Sequence, residues 1–225
     1  MQISSFETEI KVIIVGNGRV GKTSLITRFV EDTFTLKYVK TIGVDFLEKR
    51  MLVPSIHEMV TFYLYDTAGQ EEYNALTRSF YKGAGAAIVA FSSVDRRSFE
   101  AVPNWIRTVR EECGQIPLAL VQTKLDLVAE ATVDTSEAES LALDENLELF
   151  RICSKDNVRV NPVFEKLCFD YVRRRRLLGG QLESPVRRVA DLQNIDKRST
   201  APQANPQVKR RAKASSSLFT NCTIM

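Results

Sequence analysis

The sequence predicts an α/β fold: a doubly wound, mostly parallel six-stranded sheet with helices on both faces. Three observations predict it. Apolar runs typical of buried strands alternate with amphipathic helical segments along the chain. A glycine-rich turn of the phosphate-binding type follows the first strand. Polar motifs follow the later strands at their carboxyl ends, which is where ligands bind in open α/β sheets.

The first strand, 11–15, ends in a turn that fits G-x-x-x-x-G-K-[ST], and helical spacing follows it. Glycines in such a turn let successive backbone N–H groups point inward at an anion, and the helix adds the positive end of its dipole. Lys22 supplies a charge for the β- and γ-phosphates, and the Thr23 hydroxyl is placed to bind Mg²⁺. The pattern therefore predicts that a nucleoside triphosphate is bound by Gly16, Asn17, Gly18, Arg19, Val20, Gly21, Lys22, Thr23 and Ser24.

The remaining elements continue the alternation of strand and helix. Further strands are predicted at 45–53, 59–65, 85–93, 117–122 and 147–152. Helices after the first are predicted at 71–82, 98–112, 135–146 and 162–176. The turn around Pro54 makes the second and third strands the one antiparallel pair. Thr135 or Ser136 is expected to cap its helix, and Trp105 is expected to be an ordinary core residue.

Composition and charge divide the chain into a globular part and a tail. The 225 residues are 44% hydrophobic, enough for one domain, with no apolar run long enough to span a membrane and no secretory signal. From Arg173 onward there are twelve Lys and Arg against three Asp and Glu, although the net charge of the whole chain is only +3. The tail lacks the interleaved aromatic residues that stack on nucleic acid bases, so we expect no nucleic acid partner and favour a membrane surface.

Five motifs together carry a family resemblance. They are the glycine-rich turn, Thr41–Phe46 (TIGVDF), Asp66–Glu71 (DTAGQE), Thr123–Asp126 (TKLD) and Cys153–Lys155 (CSK). With them the chain resembles a small GTPase of the Ras superfamily, and TIGVDF, DTAGQE and the later YKGA are similar to the Rab branch in particular. Further similarity to the Rab subfamily numbered twenty-three comes from Asn17-Gly18, Asp45–Glu48, Phe91-Ser92 and Ile116–Gln122.

The resemblance implies a division into an N-terminal extension (1–8), a GTP-binding domain (9–176) and a disordered basic tail (177–225). In the GTP-binding domain it implies a Mg²⁺ site formed by Thr23, Thr41 and Asp66, in which Thr41 also reaches the γ-phosphate and Asp66 acts through water. Gln70 would orient the attacking water, and the Gly69 amide would sense the γ-phosphate. The implied catalytic residues are therefore Gln70, Lys22, Thr41 and Gly69.

The same resemblance assigns the guanine and its surroundings. Asp126 would accept the two N–H donors of guanine and so reject adenine, while Lys124 would brace the loop and the base. The implied base-binding set, with Phe34 packing on the guanine and Tyr38 covering the phosphates, also contains Thr123, Cys153, Ser154 and Lys155. Two departures from the family pattern are expected to weaken guanine affinity: Thr123 replaces Asn of N-K-x-D, and Cys153-Ser154 replaces Ser-Ala of S-A-K. Arg19 is expected to point outward into solvent.

The resemblance also implies surfaces for partners. Effectors would bind switch I and switch II through Ile42, Gly43, Val44, Asp45, Phe46, Tyr65 and Phe80, with Tyr65 replacing the usual Trp of an aromatic triad. A guanine-nucleotide exchange factor and a GTPase-activating protein are expected, and the chain is expected to be a monomer. The last four residues begin with Cys222 and loosely fit a farnesylated C-a-a-X motif, with the basic segment 209–213 upstream.

The predicted function is a GTP-binding and slowly GTP-hydrolysing switch in vesicle or ciliary membrane traffic. We expect a cytoplasmic protein that attaches reversibly to the cytosolic face of membranes, with Mg²⁺ as cofactor and GTP and GDP as substrate and product. Two alternatives remain at this stage. One is a GTP-bound scaffold with negligible turnover, and the other is a P-loop kinase of small substrates, for which no arginine-rich lid is evident.

Overall fold

A computed structural model describes residues 7–37, 41, 44–67 and 80–179. Its strands are β1 (Thr8–Val15), β2 (Val44–Val53), β3 (Glu58–Thr67), β4 (Ala86–Ser92), β5 (Leu118–Thr123) and β6 (Glu148–Arg151). Its α-helices are α1 (Lys22–Glu31), α2 (Arg96–Glu100), α3 (Val102–Cys113), α4 (Thr135–Asp144) and α5 (Val160–Leu177). A 3₁₀ segment, Leu125–Glu130, follows β5.

The predicted sheet is confirmed. The six strands lie in the order β2-β3-β1-β4-β5-β6, and every neighbouring pair is parallel except β2 with β3. The central strand, β1, reads almost entirely apolar because both of its faces are covered. Parallel pairing brings the carboxyl ends of β1, β3, β4 and β5 to one edge, where the sequence motifs also fall.

Two hydrophobic clusters cover the two faces of the sheet. Ile10, Val12 and Ile14 of β1 pack with α1 and α5 on one face, whereas Ile13 and Val15 pack with α3 and α4 on the other. This period-2 alternation follows from the pleat of the strand. On the first face, the rings of Phe29 in α1 and Phe164 in α5 stack with centroids 3.7 Å apart. That contact fixes the helix that begins in the glycine-rich turn against the last helix of the domain.

Three local features differ from the sequence-based predictions. The helix predicted at 98–112 is two helices, because Pro103 lies in the first turn of α3, where a missing backbone N–H is tolerated. The cap of α4 is neither Thr135 nor Ser136 but Asp134, which forms a capping box with Glu137. The 3₁₀ segment after β5 was not predicted. Most of the helix predicted at 71–82 lies outside the described residues.

Within the described ranges, no helix combines the length and the apolar character needed to cross a lipid bilayer.

Candidate nucleotide-binding site

The glycine-rich turn between β1 and α1 adopts a backbone that its glycines make possible. Gly16 has φ of +137°, and a Cβ atom added there would lie 2.1 Å from the carbonyl oxygen of Ala90 in β4. Gly21, the N-cap of α1, has φ of +100°. Arg19 also lies in the left-handed region, with φ of +64°, and its side chain is exposed as predicted. Only glycine fits the first of these positions, because the neighbouring strand leaves no room for a side chain.

Lys22 lies beneath this turn and is buried. Its ammonium donates hydrogen bonds to the carbonyl oxygens of Gly16 and Asn17, at 2.8 and 2.9 Å. Burial lowers the pKa of Lys22 to about 8, although the nearby charge of Asp66 acts in the opposite direction. Both hydrogen-bond partners are neutral, so the buried positive charge is only partly compensated. An anion bound in the turn would compensate it fully, which is the electrostatic requirement of a phosphate site.

The three predicted metal ligands are brought together at the start of α1. The Thr23 hydroxyl donates to Asp66 Oδ2 at 2.5 Å, Thr41 Oγ1 lies 3.2 Å from the same oxygen, and the two hydroxyl oxygens are 3.0 Å apart. Asp66 Oδ1 is buried and has no hydrogen-bond partner among the described residues. Burial raises the pKa of the Asp66 carboxyl above its usual range, although the Thr23 hydrogen bond and the Lys22 charge lower it.

This donor set fits Mg²⁺, which prefers hard oxygen ligands and keeps several waters around one or two carboxylates and substrate phosphates. Thr23 and Thr41 would hold the ion with their hydroxyl oxygens, and Asp66 would supply the negative charge. The ion would in turn neutralise the buried carboxylate, which explains why an acid without a full set of partners is placed there.

The motifs that are predicted to bind the base lie together at the carboxyl ends of β5 and β6. Cys153 is buried, and its thiol lies 3.3 Å from Asp126 Oδ1 and 3.2 Å from Asp156 Oδ2. Burial raises the pKa of the Cys153 thiol above its usual range, so the thiol stays protonated at neutral pH and can donate its one hydrogen to either carboxylate. Cys153 therefore contacts the carboxylate that the sequence predicts to read guanine. A thiol is only a weak donor, so this support is weaker than a hydroxyl would give.

Thr123, which stands where the family motif has Asn, contacts the glycine-rich turn. Its side chain is buried, and its hydroxyl oxygen lies within hydrogen-bond distance of the Val20 carbonyl in the glycine-rich turn and 3.1 Å from the Phe91 carbonyl. The hydroxyl thus braces the phosphate-binding turn from the base-binding strand. Lys124, which follows it, has φ of +60°, and this left-handed residue starts the 3₁₀ segment that carries Asp126.

The sequence-based prediction that Trp105 is an ordinary core residue is wrong. Its ring is half-buried against the second cluster, and its Nε1–H donates to Asn17 Oδ1 at 2.8 Å. Helix α3 therefore holds a side chain of the phosphate-binding turn. Sequence reasoning missed this contact because the two residues are 88 positions apart.

Comparisons with known proteins agree with this geometry. The model of the Ras family matches residues 11–172. Ras-related protein Rab-13 of Rattus norvegicus is 33% identical over 161 residues, an alignment that covers 71% of this chain and 78% of that protein. Ras-related protein Rab-3 of Caenorhabditis elegans is 36% identical over 166 residues, covering 72% and 74%. Ras-related protein Rab-3C of Bos taurus is 32% identical over 205 residues, covering 90% and 87%.

The chain belongs to the Rab family of Ras-like small GTPases. The predicted family is thereby confirmed. The finer similarity to one Rab subfamily is not decided by these relatives, which are named Rab-13 and Rab-3.

The predicted aromatic triad of this Rab is assembled on the face of the sheet that carries α3. Tyr65 lies between Phe46 and Phe80, with ring centroids 5.3 and 6.4 Å away. Sequence reasoning missed Tyr63, which stacks on Phe46 at 5.9 Å, and Lys11, whose ammonium lies 4.2 Å above the Tyr65 ring. Phe46 is 39% exposed, whereas Tyr65 is buried. In this patch Phe46 is therefore the ring exposed to solvent, and the Tyr65 ring is buried against it.

Several predicted site residues of this Rab are not placed by the structure. Those outside the described residues are Tyr38, Ile42, Gly43, Gly69, Gln70 and Cys222, and for Val44 only the backbone is described. Among the others, Phe34 is half-buried just after α1, and Ser24 is half-buried in its first turn. Asp45 and Lys155 are exposed at opposite ends of the site edge.

A surface depression of about 440 Å³ lies at the far edge of the sheet of this Rab, by the amino end of β5. Two of its charged lining residues pair with each other, since Arg110 Nη1 lies 2.6 Å from Glu145 Oε2. It is distant from the phosphate-binding turn and is not part of the candidate site.

Proposed function

We propose that this Rab binds GTP and GDP with Mg²⁺ and hydrolyses GTP slowly, as a switch in membrane traffic. The observation that carries the proposal is the arrangement around Asp66. One oxygen of its buried carboxylate has no partner in the described part of the chain, and the other accepts from Thr23 and Thr41, next to the buried ammonium of Lys22. A metal ion and the β- and γ-phosphates of a nucleotide would satisfy all four groups at once.

Guanine is the base that the other end of the site favours. The Asp126 carboxylate can accept hydrogen bonds from both the ring N–H and the amino group of guanine, and adenine offers an acceptor at the first of these positions. Contact with the Cys153 thiol orients this carboxylate, and Thr123 holds the preceding strand against the phosphate-binding turn. The two departures from the family motifs are therefore compatible with guanine binding.

Hydrolysis is proposed to depend on Gln70 and Gly69, with Lys22 and Thr41. Phosphoryl transfer requires mainly positioning and charge stabilisation, so a glutamine that orients water supports slow turnover and leaves a fast reaction to an activating protein. Effectors are proposed to bind residues 42–46 with Tyr65 and Phe80 when Thr41 and Gly69 engage the γ-phosphate. An exchange factor would reload the switch.

Membrane attachment is proposed to use Cys222 and the basic tail. One prenyl chain binds membranes only marginally, and a polybasic segment supplies the second signal needed for stable anchoring. Within the Rab family we assign the chain to the subfamily numbered twenty-three, on the residue similarities given above and on the single cysteine of its C-a-a-X ending. A ciliary or flagellar role belongs to this finer proposal.

The first experiment identifies the nucleotide bound to the purified full-length chain and follows it with Mg²⁺ and excess GTP. We expect guanine nucleotide and slow conversion of GTP to GDP, and we expect Gln70→Leu to bind the same nucleotide without conversion. Equal retention of GTP by both proteins would replace the switch with the scaffold. Adenine nucleotide, or none, would contradict the role of Asp126 and the proposed function with it.

A further inference from the structure

Arg28 in α1 links the phosphate-binding helix to the base-binding loop 153–155. Its Nε donates to the carbonyl oxygen of Ser154 at 2.7 Å, and its Nη2 donates to that of Lys155 at 2.9 Å. Its Nη1 donates to the carbonyl oxygen of Asp32 at 2.6 Å, at the end of its own helix. The side chain is only 13% exposed, although it carries a charge. The two loop carbonyls lie 126 and 127 positions away from Arg28 along the chain.

An ion pair with Asp32 does not explain this arrangement. The Asp32 carboxylate is 76% exposed and lies 3.2 Å from Nη1, so the pair is worth little in water. The better-placed donors of the guanidinium are directed at backbone carbonyls of the loop. Asn157 forms a second link, because its Nδ2 donates to Asp32 Oδ1 at 2.9 Å. The end of α1 is thus attached to the loop that follows β6 at two points.

Holding these two carbonyls fixes the backbone of the loop. The peptide unit is planar, so a hydrogen bond to a carbonyl oxygen fixes the orientation of the whole unit. Arg28 fixes the units on both sides of Lys155, and the backbone N–H of Ser154 lies one unit earlier. The family resemblance that places Ser154 in the base-binding set implies that this N–H would donate to the exocyclic oxygen of guanine. The position of the Ser154 N–H therefore depends on Arg28. Helix α1 carries Arg28 together with Lys22 and Thr23, which lie within about 9 Å of it along the helix axis.

We propose that Arg28 is a positioning residue for guanine: it holds loop 153–155 on the phosphate-binding helix and thereby slows nucleotide release. The proposal rests on the proposed function, since it takes a guanine nucleotide as the ligand. The hydrogen bonds of Arg28 go to the loop and to the end of α1, and not to the glycine-rich turn or the predicted metal ligands, so we expect its effect to pass through the base-binding loop. Two charge-assisted hydrogen bonds are sufficient for a measurable effect on release.

The test measures the release of three nucleoside diphosphates from the full-length chain and from Arg28→Met. This variant keeps an unbranched side chain like the aliphatic part of arginine but removes every hydrogen-bond donor. GDP and inosine diphosphate both carry the exocyclic oxygen, and the diphosphate of 2-aminopurine riboside lacks it. We expect GDP and inosine diphosphate to leave the variant about tenfold faster or more, by the same factor. The release of the 2-aminopurine nucleotide is expected to be unchanged. Arg110→Met, which removes an arginine at the far edge of the sheet, is the matched control and should release all three at the wild-type rates.

Two results would overturn the proposal. One is unchanged GDP release from Arg28→Met, and the other is equal acceleration of all three nucleotides, which indicates general loosening of the fold. If Arg28→Met does not fold, Arg28→Lys is measured, because its ammonium keeps the charge but lacks the planar fork of donors with which the guanidinium reaches both loop carbonyls and the end of α1. It should release GDP about three- to fivefold faster than wild type, and a wild-type rate would reject the proposal. Failure of the wild-type chain to bind guanine nucleotide would instead reject the proposed function.

Discussion

The two ends of the nucleotide site are built differently. The phosphate end is made of consecutive residues, 16–24, whose backbone is determined by glycine at fixed positions and whose functional groups match the expected motif. The base end departs from its motif at Thr123 and Cys153 and is supported by contacts between distant parts of the chain. A local motif therefore determines geometry when the backbone itself binds the ligand. Where side chains bind the ligand, other side chains can replace them if the tertiary contacts supply the same support.

The largest effect should come from the backbone of the phosphate end. In Gly16→Ala the added Cβ would overlap the Ala90 carbonyl oxygen, which belongs to a central strand and cannot move aside. We expect a loss of about 4 kcal/mol or more in the free energy of unfolding, or no folded protein. Chemical denaturation measures it. Gly83→Ala is the control, since φ there is +75° but nothing lies within 4 Å, so backbone strain alone should cost about 1 kcal/mol.

The next effect should come from the charge at the same end. Lys22→Met removes the buried ammonium, and we expect the dissociation constant for GDP to rise by roughly 100-fold or more because the phosphates lose the cation of the turn. Titration with a fluorescent GDP analogue measures it. Lys49→Met is the control: it removes a partly buried lysine that bonds the Phe29 carbonyl and not the turn. A similar loss of affinity in that variant would show that Lys22 acts through general stability.

At the base end, Thr123→Val should have a smaller effect. The substitution keeps the shape of the side chain and removes the hydroxyl that contacts the Val20 carbonyl. Loss of a hydrogen bond to a buried group costs about 1–2 kcal/mol, so GDP release should become roughly tenfold faster. Stopped-flow release measurements test this. Thr123→Ser keeps the hydroxyl and should release GDP close to the wild-type rate. If the serine and valine variants release GDP equally fast, the hydroxyl is not the brace.

The smallest effect should come from Cys153→Ser, and it has the opposite sign. A hydroxyl donates to Asp126 more strongly than a thiol does, so GDP release should become slower by about threefold. The same release assay measures it, with Cys113→Ser as the control, because that half-buried thiol contacts the Tyr81 carbonyl away from the site. Faster release from Cys153→Ser would mean that packing of the larger sulfur atom, and not its hydrogen bond, supports Asp126.

The same contrast explains what could be predicted from the sequence. The alternation of apolar runs predicted the sheet, and the turn 16–24 predicted the phosphate end, because both signals are local. The break between α2 and α3 and the Asp134 cap also had local signals, in Pro103 and in the spacing of Asp134 and Glu137. The bracing by Arg28 had none, because each hydrogen bond joins residues more than a hundred positions apart.

Trp105 is the only tryptophan of the chain, and its indole N–H is bonded to Asn17 in the phosphate-binding turn. Indole emission responds to the polarity and hydrogen bonding of its surroundings, so loading, hydrolysis and release at the turn should change the intrinsic fluorescence of the protein. Trp105 can thus serve as an intrinsic fluorescent probe of the turn that is predicted to bind the nucleotide phosphates. On the proposed function, we expect the nucleotide cycle of the protein to be measurable in real time with natural nucleotides and without any attached dye.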